Sequence, residues 1–128
     1  MRLVDTSAWI EVLIGSPLAT AITPRLPSPG EWLVPTIVQF ELAKWLMRET
    51  GDETCDRVIA FTQTCVVAGL DTRTALFAAE VAARHTLAMA DAVVYATALM
   101  WDADVVTCDR HFEGLPRVDY LPKQPLGT

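Results

Sequence analysis

Short apolar runs recur along this chain with helical stretches between them, and that alternation restricts the fold more than any other feature. The runs are "RLVD" at 2–5, "WLVP" at 32–35, "CVVAGL" at 65–70, "ADVVT" at 103–107 and a weaker "RVDYL" at 117–121. Strands joined through helices need crossover connections, which favour parallel pairing, and a parallel sheet has to be covered on both faces. The expected fold class is therefore α/β, with a mostly parallel central sheet flanked by helices in three layers. In such folds the functional crevice lies at the carboxyl ends of the strands.

The helical stretches have their own signals. Residues 6–14 carry Trp9, Ile10, Val12 and Leu13 as a short helix, and "ITPRLPSPGEW" reads as a surface loop. In "PTIVQFELAKWLMRETG", Thr36 with Gln39 three residues on matches a capping box, and Gly51 stands where a helix stop is expected. "DETCDRVIAFTQ" gives a further helix, Asp71 caps another through "TRTALFAAEVAARH", and the last runs from Ala88 to about Trp101. No repeat and no linker divides the chain. Residues 1–121 read as one domain and 122–128, "PKQPLGT", as a loose tail.

With 128 residues, 52% of them hydrophobic, the chain can bury one core. The stretch from Leu87 to Trp101 is too short to cross a membrane and contains Asp91, and the N-terminus lacks the marks of a signal peptide, so a cytoplasmic location is expected. Cys55, Cys65 and Cys108 show no CxxC pairing and read as reduced thiols; His85 and His111 are not at zinc-motif spacing. A net charge of −6 argues against holding nucleic acid by general attraction. It does not argue against an enzyme whose acids surround cations, because bound cations reverse the local sign.

Four acids therefore matter by position. Asp5 ends the first strand, either as a cap for the next helix or as a ligand. Glu41 shares a helix edge with Ile37, Lys44 and Arg48, beside an apolar stripe of Val38, Leu42, Trp45 and Leu46; a pair with Lys44 is its ordinary reading. Asp91 is the only charged residue in the apolar helix 88–101, so it must be capped, neutralised or bound to a cation. Asp109 follows the "ADVVT" strand, in a turn that also holds His111. Three aspartates and a glutamate that converge on one crevice, without His or Cys, suit Mg²⁺ or Mn²⁺.

The segments "LVDTSAWI", "ELAKWL", "MADAVVYATA" and "VVTCDRHF", in this order from Leu3 to Phe112, resemble the PIN-domain family, and most closely its VapC-type toxins. The resemblance implies an acidic quartet at Asp5, Glu41, Asp91 and Asp109. Asp5, Asp91 and Asp109 become direct or water-bridged metal ligands, and Glu41 orients or deprotonates the attacking water or holds a second ion. Thr6 and Thr107 match polar positions that order a ligand or a water. The implied activity is a Mg²⁺- or Mn²⁺-dependent endoribonuclease, with RNA as substrate, an antitoxin protein as partner and a homodimer as assembly. Lys44, Arg48 and Arg110 become candidates for the RNA backbone, and Trp9 and Trp45 for an interface.

Two departures stand out. His111 occupies a place where many relatives have a second acid, which weakens a second metal site, and the usual Gly before the "DA" helix is missing from "ARHTLAMADA". A haloacid-dehalogenase-type phosphatase would need an Asp where Ser7 stands. A receiver domain would need a late-strand Lys, and the only lysines are Lys44 and Lys123. The remaining rival is an inactive PIN-fold binding or regulatory module.

Overall fold

The computed structural model describes residues 1–123; of the tail expected at 122–128, residues 124–128 lie outside the described residues. Five strands, β1 (Arg2–Val4), β2 (Trp32–Pro35), β3 (Val66–Ala68), β4 (Asp104–Thr107) and β5 (Val118–Tyr120), form one sheet. Their order is β3-β2-β1-β4-β5, and every neighbouring pair is parallel. Leu3 lies opposite both Leu33 and Val105, and Val4 opposite Val106.

Successive strand residues point to opposite faces. Leu3, Val4, Leu33, Val34, Val105 and Val106 are all fully buried, so both faces of the three inner strands are covered. This is why those runs are apolar without alternation, while the edge strands β3 and β5 keep partly exposed residues.

Helices α1 (Thr6–Leu13) and α2 (Ala19–Ile22) lead from β1 to β2, and α3 (Thr36–Glu49) and α4 (Asp52–Thr62) lead from β2 to β3. Helices α5 (Thr72–His85) and α6 (Met89–Met100) then carry the chain back past β1 to β4. The connections that leave β1 and β4 thus run in opposite directions, toward β2 and β5, and the crevice between their carboxyl ends is the topological switch point.

Several local expectations change. The proline-rich passage is preceded by α2, whose Ile22 is fully buried, and it contains 3-10 turns at Thr23–Arg25 and Pro29–Glu31. Pro24 and Pro29 sit early in those turns, where a missing N–H costs nothing. Arg25 pins the passage: its Nε meets Asp119 Oδ2 at 2.7 Å, and its carbonyl accepts from Arg2 Nη1 at 2.7 Å.

The capping box at Thr36 does not form. β2 runs straight into α3 with Pro35 as the N-cap residue, so Thr36 is already helical. Gln39 Nε2 instead donates to Thr62 Oγ1 at 3.0 Å and ties α3 to α4. Trp9, a candidate for an interface, is buried against Trp32 (ring centroids 4.8 Å apart) and edge-on to Phe61, and belongs to the core. The α5–α6 turn, which lacks the glycine, places Thr86 in the left-handed region at φ 54°. No helix of the described residues is long and apolar enough to cross a membrane.

Candidate active site

Asp5 has the position of a cap but not its chemistry. Its backbone carbonyl accepts from the amides of Ala8 (3.0 Å) and Trp9 (3.1 Å), while its side chain caps nothing in α1. Both hydrogen bonds to the carboxylate go to Oδ2, from Ser7 Oγ and from Thr107 Oγ1, each at 2.8 Å. Among the described hydrogen bonds none reaches Oδ1.

The same two hydroxyls hold the end of β4. Ser7 Oγ accepts from the Cys108 amide and Thr107 Oγ1 from the Asp109 amide, both at 2.9 Å. Asp5 is 5% exposed. Burial pushes its pKa above the usual carboxylate range, Ser7 and Thr107 pull it back, and the charges of Glu41 and Asp109 push it up further.

Asp91 is the third residue of α6, which starts at Met89 after Ala88 as N-cap residue, so it is no cap either. From Ala92 to Ala98 the helix is buried without a break, and Asp91 stands at the rim of that buried stretch. Its Oδ2 lies 3.3 Å from His111 Nδ1, which is itself 3.0 Å from Asp109 Oδ1. One ligand atom from each of Asp91, Asp109 and His111 falls within 4.8 Å of the others. Burial, then the neighbouring charges of Asp109 and Asp5, push the Asp91 carboxyl up to about 6, against the opposing pull of His111.

Asp109 keeps its turn role as well. It caps the 3-10 turn Arg110–Phe112 by accepting the His111 amide on Oδ1 at 2.9 Å. That bond brings the imidazole round onto the carboxylates.

Glu41 is placed by a contact the sequence does not advertise: Thr6 Oγ1 donates to its Oε1 at 2.7 Å. The pairing with Lys44 is absent among the described residues. Asp5 feels the charges of Glu41 and Asp109, and Asp91 those of Asp109 and Asp5, so the four acids gather around the crevice within electrostatic reach of one another. Only His111, among the described residues, offers any of them a counter-charge.

The basic candidates flank this crevice. Lys44 and Arg48 line an open groove with Ile10, Glu41 and Trp45, although Arg48 Nε also meets Glu49 at 2.9 Å. Arg110 and Lys123 line a second groove with Ser7, Asp109 and His111.

Two residues escape sequence reasoning. Ser7 enters the sequence reading only as the place where a phosphatase would need an Asp, and only the fold shows that Thr6 turns to Glu41 while Ser7 turns to Asp5. His111 reads as a turn residue and, by the resemblance, as a departure that weakens a second metal site, yet the Asp109-capped turn brings its Nδ1 onto Asp91 and Asp109. The donor set fits a hard divalent cation: clustered carboxylate oxygens, one of them on a buried aspartate and uncommitted.

The comparisons with known proteins agree with this architecture. A toxin–antitoxin complex from Klebsiella pneumoniae matches with a TM-score of 0.80 at 19% identity, covering 93% of this chain and 96% of that chain. A sarcin–ricin-loop-cleaving VapC toxin from Mycobacterium tuberculosis matches with a TM-score of 0.75 at 19% identity, covering 98% and 100%. DNA-bound VapBC from Salmonella typhimurium gives 0.71 at 19% identity, covering 95% and 98%. No curated protein matches in sequence. The family model of the PIN domain matches residues 2–118, a span that holds all four acids. The chain belongs to the PIN-domain family.

Proposed function

We propose that this chain is a Mg²⁺- or Mn²⁺-dependent endoribonuclease, the toxin of a toxin–antitoxin pair, acting in the cytoplasm as a homodimer through a single domain of residues 1–121. The observation that carries the reading is the state of the acids at the switch point. Four carboxylates gather around the crevice without a lysine or arginine among their described partners, and the most buried of them takes its described hydrogen bonds on Oδ2 alone. Burying charge this way costs several kcal/mol, a cost that a divalent cation offsets. The resemblance to toxin–antitoxin structures supports the assignment of an antitoxin partner.

In this reading Asp5, Asp91 and Asp109 hold the cation, directly or through water. When bound, the cation lowers the pKa of a water and stabilises the charge that builds on the phosphate. Ser7 and Thr107 fix the Asp5 carboxylate so that Oδ1 faces the site. Thr6 holds Oε1 of Glu41 and leaves Oε2 to orient or deprotonate the attacking water, or to hold a second ion. Lys44 and Arg48 on one side, and Arg110 on the other, attract the flanking phosphates of an RNA strand crossing the acids. Antitoxin binding covers this crevice.

The test uses the purified full chain without partner, titrated with Mn²⁺ by electron spin resonance and then incubated with cellular RNA and Mg²⁺ or Mn²⁺. Saturable binding and RNA cleavage, both lost in Asp91→Asn, are expected. Saturable binding with no cleavage of any RNA would replace the enzyme with a metal-holding binding module. Absence of both would overturn the reading.

A further inference from the structure

We infer that His111 is a nitrogen ligand of the cation held by Asp91 and Asp109, and that it shifts the preference of the site from Mg²⁺ toward first-row transition cations. The inference deepens the metal-site reading and rests on it. Its geometric ground is the position of Nδ1, 3.0 Å from Asp109 Oδ1 and 3.3 Å from Asp91 Oδ2. Among the described hydrogen bonds none is donated by the imidazole, so the ring lies against both oxygens without the alignment of a donor. The ligand atoms of all three residues lie within 4.8 Å of one another, so Nδ1 is within reach of an ion held by the two carboxylates.

The backbone supports the same role. The His111 amide donates to Asp109 Oδ1 at 2.9 Å, and the next residue, Phe112, is fully buried. The base of the side chain is therefore fixed while the ring, 65% exposed, remains reachable by an incoming hydrated ion. Asp5, itself buried, carries both of its described hydrogen bonds on Oδ2. An imidazole nitrogen suits transition cations, whereas Mg²⁺ favours an all-oxygen shell and holds its waters. Replacing a carboxylate by His111 at this point also removes one negative charge, which weakens the pull on Mg²⁺.

The probe is Mn²⁺ itself, bound to the full chain and measured by pulsed electron spin resonance for coupling to ¹⁴N. The chain has two histidines, and His85 lies edge-on to Tyr95 between α5 and α6, so one substitution assigns the signal. Wild-type protein is expected to show imidazole ¹⁴N coupling. In His111→Asp, Mn²⁺ still binds, the coupling is lost, and Mg²⁺ displaces Mn²⁺ at several-fold lower concentration. Bound Mn²⁺ without ¹⁴N coupling, or coupling that survives His111→Asp, would overturn this inference and leave the carboxylate site standing. No Mn²⁺ binding by the wild type would overturn the site and the inference together.

Discussion

Acids gather at both ends of the sheet, and the protein treats the two groups in opposite ways. Around the amino ends of the strands, Asp102 and Asp104 share Arg117, and Glu31 meets the chain's N-terminal amine at 3.3 Å. Close by, Asp119 meets Arg25 at 2.7 Å. At the carboxyl ends, Asp5, Glu41, Asp91 and Asp109 converge on one crevice, and His111 is their one basic neighbour among the described residues. The first group is solvated and paired, and each pair adds little to stability. The second is partly desolvated and, among the described residues, has no lysine or arginine partner, and it works against the fold. A net charge of −6 describes both groups equally, so it is the distribution of partners that separates structure from function.

The largest effect that would break this contrast comes from Asp91→Asn. With a cation ligand removed, Mn²⁺ binding and RNA cleavage should fall at least 100-fold, as about 3 kcal/mol of charge-assisted coordination is lost. The metal-free protein should nevertheless become more stable. Burial, with Asp109 and Asp5, raises the folded-state pKa of Asp91 from 3.8 to about 6. The stability linked to this group is therefore fully present below pH 3.8 and is lost as pH rises through about 6. At pH 8 the substitution should recover about 1 kcal/mol, the full shift being discounted because the carboxyl still reaches solvent. Urea unfolding in chelator measures it. A metal-free Asp91→Asn protein less stable than wild type would place Asp91 with the structural acids.

Thr107→Val comes next. Thr107 is fully buried, donates to Asp5 Oδ2 and accepts the Asp109 amide, so an isostere without the hydroxyl takes one of two hydrogen bonds from Asp5 and leaves the Asp109 amide without its described partner. The cost should be about 2 kcal/mol in stability, and Mn²⁺ affinity should fall about tenfold because a supporting hydrogen bond to a ligand is gone. Thr107→Ser, which keeps the hydroxyl, should restore most of both. If valine is tolerated with unchanged Mn²⁺ affinity, the polar link between β1 and β4 does not orient the site.

The proton itself offers a third probe. A cation has to displace the proton from Asp91, so the apparent Mn²⁺ dissociation constant should be flat above pH 7 and rise up to tenfold per unit below about 6. In Asp104→Asn, at the paired end, the profile should be unchanged.

Much of this contrast was legible in the sequence, but not its details. The order of strands and helices follows from apolar runs too short for helices and from caps such as Asp71, which accepts the Thr74 amide at 2.8 Å. The acids at strand ends were legible because a parallel sheet puts its crevice there. The capping box was misread because its residue pattern is local, whereas the start of α3 is set by where β2 stops pairing with its neighbours at Pro35. The choice between Thr6 and Ser7 depends on helix rotation against α3 and β4, which no spacing within α1 encodes. His111 was missed for a similar reason: as a turn residue it is ordinary, and its meaning comes from Asp91, twenty residues earlier, meeting it across the switch point.

The smallest effect belongs to the paired end and sharpens the comparison from the other side. Arg117 joins Asp102 and Asp104, but its side chain is 39% exposed and that of Asp102 is 91% exposed. Water and salt screen such contacts, so Arg117→Ala should lower the midpoint of thermal unfolding only slightly, and less in high salt. One further feature should make the substitution informative. Arg117 sits at φ 63°, a left-handed conformation that favours glycine. Arg117→Gly loses the same ion pairs but relieves the backbone, so it should destabilise less than Arg117→Ala. Neither should alter Mn²⁺ affinity, because the screened charges at the amino ends do not reach the crevice at the other edge. A weakened Mn²⁺ affinity in either variant would mean that the two groups of acids are electrostatically one, and that pairing at one end sets the charge available at the other.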